Sequence, residues 1–126
     1  MRKVISTNNA PAAIGPYSQA IEVSNMIFIS GQIPVNPTTG KIDAEDIASQ
    51  TSQSFANLKA ILAEAGSSMD NIVKTTVFLA DMSLFEGMNN VYKTQFTGDF
   101  PARSAVAVKA LPKGALVEIE AIAVKA

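Results

Sequence analysis

Met26-Ile27-Phe28-Ile29-Ser30-Gly31-Gln32-Ile33 decides how this chain folds. Its β-branched and aromatic residues predict a strand, and its apolar side chains fall on both alternating sets instead of one. Such a strand is buried on both faces. Val77-Phe78-Leu79 and Ser104 to Val108 repeat the pattern, apolar or small on both parities, so one sheet has two sides that need cover. Upstream, Gln19 to Ser24 is a second strand-like run, joined to Met26–Ile33 through Ser24-Asn25 as a hairpin turn. Residues 3–6 predict a short edge strand, and Asn8 to Gly15, punctuated by Pro11 and Gly15, reads as a loop.

Downstream, Pro34, Pro37 and Gly40 interrupt regular structure before Asp43, which with Asp46 three residues on reads as a helix N-cap followed by first-turn acid. Ile47, Thr51, Phe55, Leu58 and Leu62 then recur at the spacing of one helix face, and Gly66 supplies the stop. Asn71 to Ala80 predicts a strand. Ser83 with Glu86 forms a capping-box pattern ahead of Phe85, Met88, Val91, Tyr92 and Phe96, a second helix that Gly98 and Pro101 end. Arg103 to Ala110 and Leu116 to Val124 predict two last strands, separated by Leu111-Pro112-Lys113-Gly114. The order β-β-β-α-β-α-β-β, without internal repeats, predicts a single α+β or mixed α/β domain over residues 1–126, with one sheet and two helices. Helices of roughly twenty and fifteen residues cover one face of so wide a sheet. The other face is apolar rather than polar, which predicts packing against another copy of the chain.

With 48% hydrophobic and 17% charged residues, the 126-residue chain has the balance of a folded globule rather than a disordered or polyelectrolyte segment. Ten Lys and Arg against eleven Asp and Glu leave a net charge of -1 with the signs scattered, so there is no basic face for nucleic acid. The absence of Cys and His excludes disulfides, thiolate nucleophiles, zinc sites built on Cys or His, a Ser-His-Asp triad and a histidine general base. Any chemistry must come from carboxylate, Arg, Lys, Tyr, Ser or backbone groups. Met1-Arg2-Lys3 is not followed by an apolar signal core, and no apolar run approaches the ~20 residues that span a bilayer. The expectation is a soluble, cytoplasmic protein without a membrane partner.

Arg103 is one of only two arginines and opens an apolar strand. A guanidinium there must reach solvent or an anion, and its planar fork suits a carboxylate held bidentately, either a ligand's or one of the chain's own acids. Glu118 and Glu120 lie two apart, on one strand face about 7 Å from each other, beside Ile122 and Val124. Apolar neighbours raise a carboxyl's pKa and equip it for proton transfer; the alternative is two solvated glutamates on an amphipathic edge. A tight hairpin turning at residues 111–114 would leave Glu118 roughly 13 Å from Arg103, so convergence needs another strand order or a second subunit. Tyr17 places a phenol where a loop enters a strand. Gly31 sits inside the apolar strand after Ser30, marking a bulge, a close approach or a packing role. Asn89 falls on the polar side of the second helix, where a solvated amide is the simpler reading.

Taken in order, Gly15-Pro16-Tyr17-Ser18-Gln19-Ala20, Ser30-Gly31-Gln32-Ile33-Pro34, Met88-Asn89 with Val91-Tyr92, Pro101-Ala102-Arg103-Ser104 and Glu118-Ile119-Glu120-Ala121 resemble the Rid (YjgF/YER057c) family, its RidA subgroup in particular. The resemblance implies a chorismate-mutase-like α+β fold, a six-stranded mixed sheet backed by two helices. It also implies a homotrimer whose three sites are shared between subunits, and a last strand that is not a simple hairpin partner of the fifth. The activity it implies is hydrolytic deamination of the enamine/imine acids 2-aminoacrylate (2-iminopropanoate) and 2-iminobutanoate to 2-keto acids and ammonia, without a cofactor or metal. Arg103 matches the carboxylate-binding arginine and Glu118 the water-positioning glutamate, while Tyr17, Ser30, Gly31 and Asn89 match pocket residues. Ala105 stands where many members carry Cys, a position whose backbone carbonyl does the work. A non-catalytic sensor of small 2-keto acids is the alternative that the same arginine would serve.

Overall fold

The face that runs from Ile47 to Leu62 forms as its spacing predicts. In the computed structural model, which describes residues 1–126, helix α1 spans Ile47–Glu64 and buries Thr51, Phe55, Leu58, Ile61 and Leu62. Its N-cap is Asp46, not Asp43: the Asp46 carboxylate accepts from the Ser49 N–H at 2.9 Å. Asp43 instead accepts from the Asn36 amide and the Thr39 hydroxyl and closes the preceding loop. At the other end Gly66 turns the chain at φ +77°, letting the Ser67 N–H return to the Leu62 carbonyl.

The strands are β1 (Lys3–Ile5), β2 (Ala20–Val23), β3 (Met26–Gln32), β4 (Ile72–Leu79), β5 (Ala102–Ala107) and β6 (Val117–Val124). Ser24 and Asn25 both take positive φ in the β2–β3 turn, the conformation a tight hairpin requires. The second helix, α2, is shorter than its sequence face, spanning Phe85–Tyr92 between two 3-10 turns. The Ser83 capping box does not form. Asp81 caps the first 3-10 turn by accepting from the Ser83 N–H, and α2 continues from that turn without a side-chain cap of its own.

The six strands form one mixed sheet in the order β1-β2-β3-β6-β4-β5. Every pairing is antiparallel except β4 with β5. The final strand therefore inserts between β3 and β4, and β5 takes the edge, so the tight β5–β6 hairpin is absent. Because β3 and β4 both run antiparallel to β6, they are parallel to each other, and α1 and α2 serve as two successive parallel crossovers. Both helices lie on one face, where α1 packs on α2, β3 and β6. Ile27, Ile29, Val77, Leu79, Val117, Ile119, Ala121 and Ala123 point into that core. The other face carries no element. It presents Phe28, Val106 and Val124 with 38–46% of their surface exposed beside Thr76, Glu118 and Glu120, so the uncovered face that the two-sided strands predict is apolar in part and not throughout. Neither helix is long and apolar enough to cross a membrane.

Buried polar side chains pin the loops at the sheet's rim. Gln19, 3% exposed, accepts from the Thr7 N–H and donates to the Thr7, Ala10 and Pro11 carbonyls. Asn57 on α1 donates to the carbonyls of Ile33 and Val35, holding the segment that leaves β3. Asn57→Ala strips the Val35 carbonyl of its donor, while the Ile33 carbonyl keeps the Val35 N–H at 2.8 Å; the loss should cost about 2 kcal/mol, read as a lowered midpoint in urea unfolding. A midpoint within error of the wild type would show that segment to be held by other means.

Candidate active site

Glu118 leaves β6 on the open face, opposite Phe78 of β4. It stands against Gly31. A Cβ at Gly31 would overlap the Glu118 carboxylate oxygen Oε2 and come within 2.8 Å of Cδ. The register of β3 against β6 shifts between Ile29 and Gln32, so Gly31 occupies a bulge and also permits a close approach. Burial is the main cause that pushes the Glu118 carboxyl above the usual glutamate range, and the negative charge of Glu120 adds to it.

Ser30 secures the loop in front of this carboxylate. Its hydroxyl donates to the Ser18 carbonyl at 2.6 Å, and its backbone N–H donates to the Gln19 carbonyl at 2.9 Å. The loop turns at Gly15, with φ +114°, and leaves the Tyr17 ring half exposed at the mouth of a cavity of about 850 Å³. Tyr17, Ser30, Gly31, Glu118, Glu120 and Lys113 share its lining. Four of the seven expected site residues are thus brought together on one side of the sheet.

The other three are together on the opposite side. Arg103 is paired in register with Thr75, and its side chain rises toward α2, where Nη1 donates to Asn89 Oδ1 at 2.6 Å. The guanidinium carbon lies 4.6 Å from the Tyr92 ring centroid and 5.3 Å from that of Phe85. Ala105 packs on the core from the same face. Asn89 is therefore no solvated amide: it orients the arginine. No carboxylate of the chain neutralises Arg103, since the one ion pair joins Lys125 to Glu22. Tyr92, 3% exposed, shares a 2.7 Å hydrogen bond with the Thr75 hydroxyl. Burial raises its phenol pKa, against the lowering effects of Thr75 and Arg103, so it remains a neutral hydroxyl. Glu118 lies two strands and three residues away from Arg103, about 14 Å, with the sheet between them. The strand order does differ from a hairpin, yet it does not bring the pair together within one chain.

The family model described as endoribonuclease L-PSP matches residues 7–125. The chain belongs to this family, that of the Rid (YjgF) proteins. A mouse relative named 2-iminobutanoate/2-iminopropanoate deaminase is 53% identical over 99% of this chain and 93% of its own. Among solved structures, a conserved Rid family protein, YyfA, from Yersinia pestis superposes with a TM-score of 0.96 at 52% identity, covering 98% of this chain and 99% of that one. Escherichia coli TdcF with bound serine gives 0.92 at 48% identity, again over 98% and 99%.

In this Rid chain the sequence reading missed the cage about Arg103. Phe85, Asn89 and Tyr92 are spaced four and three apart, one face of α2, and that spacing carried the signal. Phe85 and Tyr92 read as core because aromatic residues at helical spacing usually are. The fit at the bulge can be checked directly. Gly31→Ala should rotate the Glu118 carboxylate away from β3 at a stability cost under about 1.5 kcal/mol, because the atoms in the way end a flexible side chain. A crystal structure of the variant with Glu118 unmoved would overturn that account.

Proposed function

We propose that this chain is an enamine/imine deaminase that hydrolyses 2-iminopropanoate and 2-iminobutanoate, and their enamine forms, to 2-keto acids and ammonia. Relatives sharing about half its residues over 93% or more of their length bear that name. The observation that carries the chemistry is Arg103, a half-buried guanidinium oriented by Asn89 and two rings and left without a carboxylate of its own. An α-carboxylate is the anion that such a fork binds, in a charge-assisted contact on the order of 1.5–3 kcal/mol. The serine held by the similar TdcF structure, a small molecule with an α-carboxylate, supports the same ligand class. A net charge of -1 with scattered signs favours a small substrate over a polyanion.

In the mechanism, Arg103 anchors the substrate carboxylate, and Glu118 with the Ala105 carbonyl holds a water against the imine carbon. Tyr17, Ser30, Gly31 and Asn89 shape the pocket. The elevated proton affinity of Glu118 suits it to accept the water proton as the C–O bond forms. The resulting carbinolamine expels ammonia as the C–N bond breaks, and a 2-keto acid remains. Atoms balance with water alone, so positioning and one proton shuttle supply the catalysis.

The separation of Arg103 and Glu118 on opposite faces of one sheet supports a site shared between subunits, which in our reading belong to a homotrimer. The uncovered, partly apolar face supplies the surface for that assembly. We place residues 1–126 in a single domain acting in the cytoplasm, where pyridoxal-phosphate-dependent dehydratases release such imines.

The decisive experiment generates 2-aminoacrylate with a serine dehydratase and follows pyruvate release. Wild-type protein should accelerate release, and Arg103→Ala should abolish the acceleration while retaining the assembly. Equal acceleration by both would overturn the role of Arg103, and none by either would favour a 2-keto acid sensor. A shared site makes a second, sharper forecast. Mixed trimers from equal amounts of Arg103→Ala and Glu118→Gln subunits should regain about a quarter of wild-type activity, because some sites draw both intact residues from different chains. The mass should be about three times 13.3 kDa by light scattering. Absence of complementation in confirmed mixed trimers would place each site within a single chain.

A further inference from the structure

We propose that Tyr92, fixed by Thr75, is a positioning residue that sets the aim of the Arg103 guanidinium and thereby the affinity for substrate carboxylate. The inference rests on the reading of Arg103 as the carboxylate anchor. Thr75 and Arg103 are neighbours in register on the parallel strands β4 and β5, so both side chains rise on the helix face side by side. Tyr92 bridges the two. Its hydroxyl is tied to the fully buried Thr75 hydroxyl at 2.7 Å, and its ring lies 4.6 Å from the Arg103 guanidinium carbon. Thr75 thus fixes where the ring stands, and the ring fixes where the guanidinium stands.

The chemistry of the cage explains why this arrangement aims the arginine without occupying it. A ring attracts a guanidinium through its π face, which takes up none of the N–H donors along the edge. Asn89 accepts from Nη1 alone, and the Phe85 ring adds a second π contact at 5.3 Å. The remaining donors stay available for a two-pronged contact with a carboxylate. A carboxylate partner from the protein would have oriented Arg103 equally well, but it would have consumed the same donors and neutralised the charge. The aromatic cage does neither. A rigid ring also spares the substrate the cost of ordering a long, flexible side chain on binding.

The role differs from ordinary core packing in a way that can be measured. Phe96 belongs to the same aromatic cluster, 5.2 Å from Tyr92 and 6.0 Å from Phe55, yet it is not among the rings about Arg103. Phe96→Leu is therefore the control for lost packing. Calorimetric titration of the intact assembly with 2-oxobutanoate, a stable carboxylate product, should show the dissociation constant rising about tenfold in Tyr92→Leu and about threefold in Thr75→Val, and staying within twofold in Phe96→Leu. Tyr92→Phe keeps the π face and should fall near Thr75→Val, a rescue that a purely steric role of the side chain does not order in this way. In the coupled assay, Thr75→Val should raise KM and leave kcat within twofold, since the carboxylate contact is the same in ground and transition states.

Thr75→Val is close to isosteric, so the proposal stays testable if Tyr92→Leu fails to fold. If Arg103→Ala weakens 2-oxobutanoate binding and neither Thr75→Val nor Tyr92→Phe does, the positioning role is wrong and the anchor stands. If Phe96→Leu weakens binding as much as Tyr92→Leu, the effect is packing and the proposal falls. Unaltered binding in Arg103→Ala removes the anchor itself, and both readings go with it.

Discussion

Both helical connections step across the sheet in the same direction, from β3 to β4 and from β4 to β5, and a parallel crossover has one favoured hand. Two crossovers of one hand and one direction put both helices on the same face. The consequences run through the molecule. One face is a core of Ile, Val, Leu and Ala under α1 and α2, and the other keeps Phe28, Val106 and Val124 exposed for want of anything in the chain to cover them. The late insertion of β6 between β3 and β4 then sets Glu118 on the open face, in the middle of the sheet, while β5 is displaced to the edge with Arg103 beneath α2. The geometry that completes the fold is the geometry that separates the two charged groups.

Each group is prepared in its own way. Glu118 sits against a glycine, and the loss of water around it disfavours its ionisation. Arg103 is oriented by an amide and two π faces, partners that leave its charge intact. The surrounding frame is stiff because its buried polar groups are almost all satisfied: Gln19, Gln50 and Asn57 each spend their amides on backbone groups of loops, and Ser54 Oγ alone is buried without a partner. These bonds tie Pro11, Ile33 and Val35, which line the cavity.

Much of the architecture follows from local pattern. The α1 face, the β2–β3 turn and the strands with two apolar parities are local or periodic signals, and they form where their spacing predicts. Local pattern is ambiguous where two residues of like chemistry compete. Asp43 and Asp46 are both good caps, and only the fold of the preceding loop, which uses Asp43 for Asn36 and Thr39, leaves the helix to Asp46. Asp81 displaced Ser83 in the same way at the turn before α2. Gly31 beside Glu118 was legible as a bulge or a close approach, and the identity of what approaches was not.

By itself the sequence determined the element order, the apolar residues on both parities of the strands, the absence of His and Cys chemistry, and the short list of candidates to bind a carboxylate or move a proton. Those depend on residue type and on spacing within one element. Tertiary structure alone decided that β6 enters between β3 and β4, that Glu118 and Arg103 fall on opposite faces, and that Thr75 and Tyr92 stand beneath the arginine. These are relations between segments distant in the chain, set by which strands pair and by the hand of the crossovers, and no local periodicity encodes them.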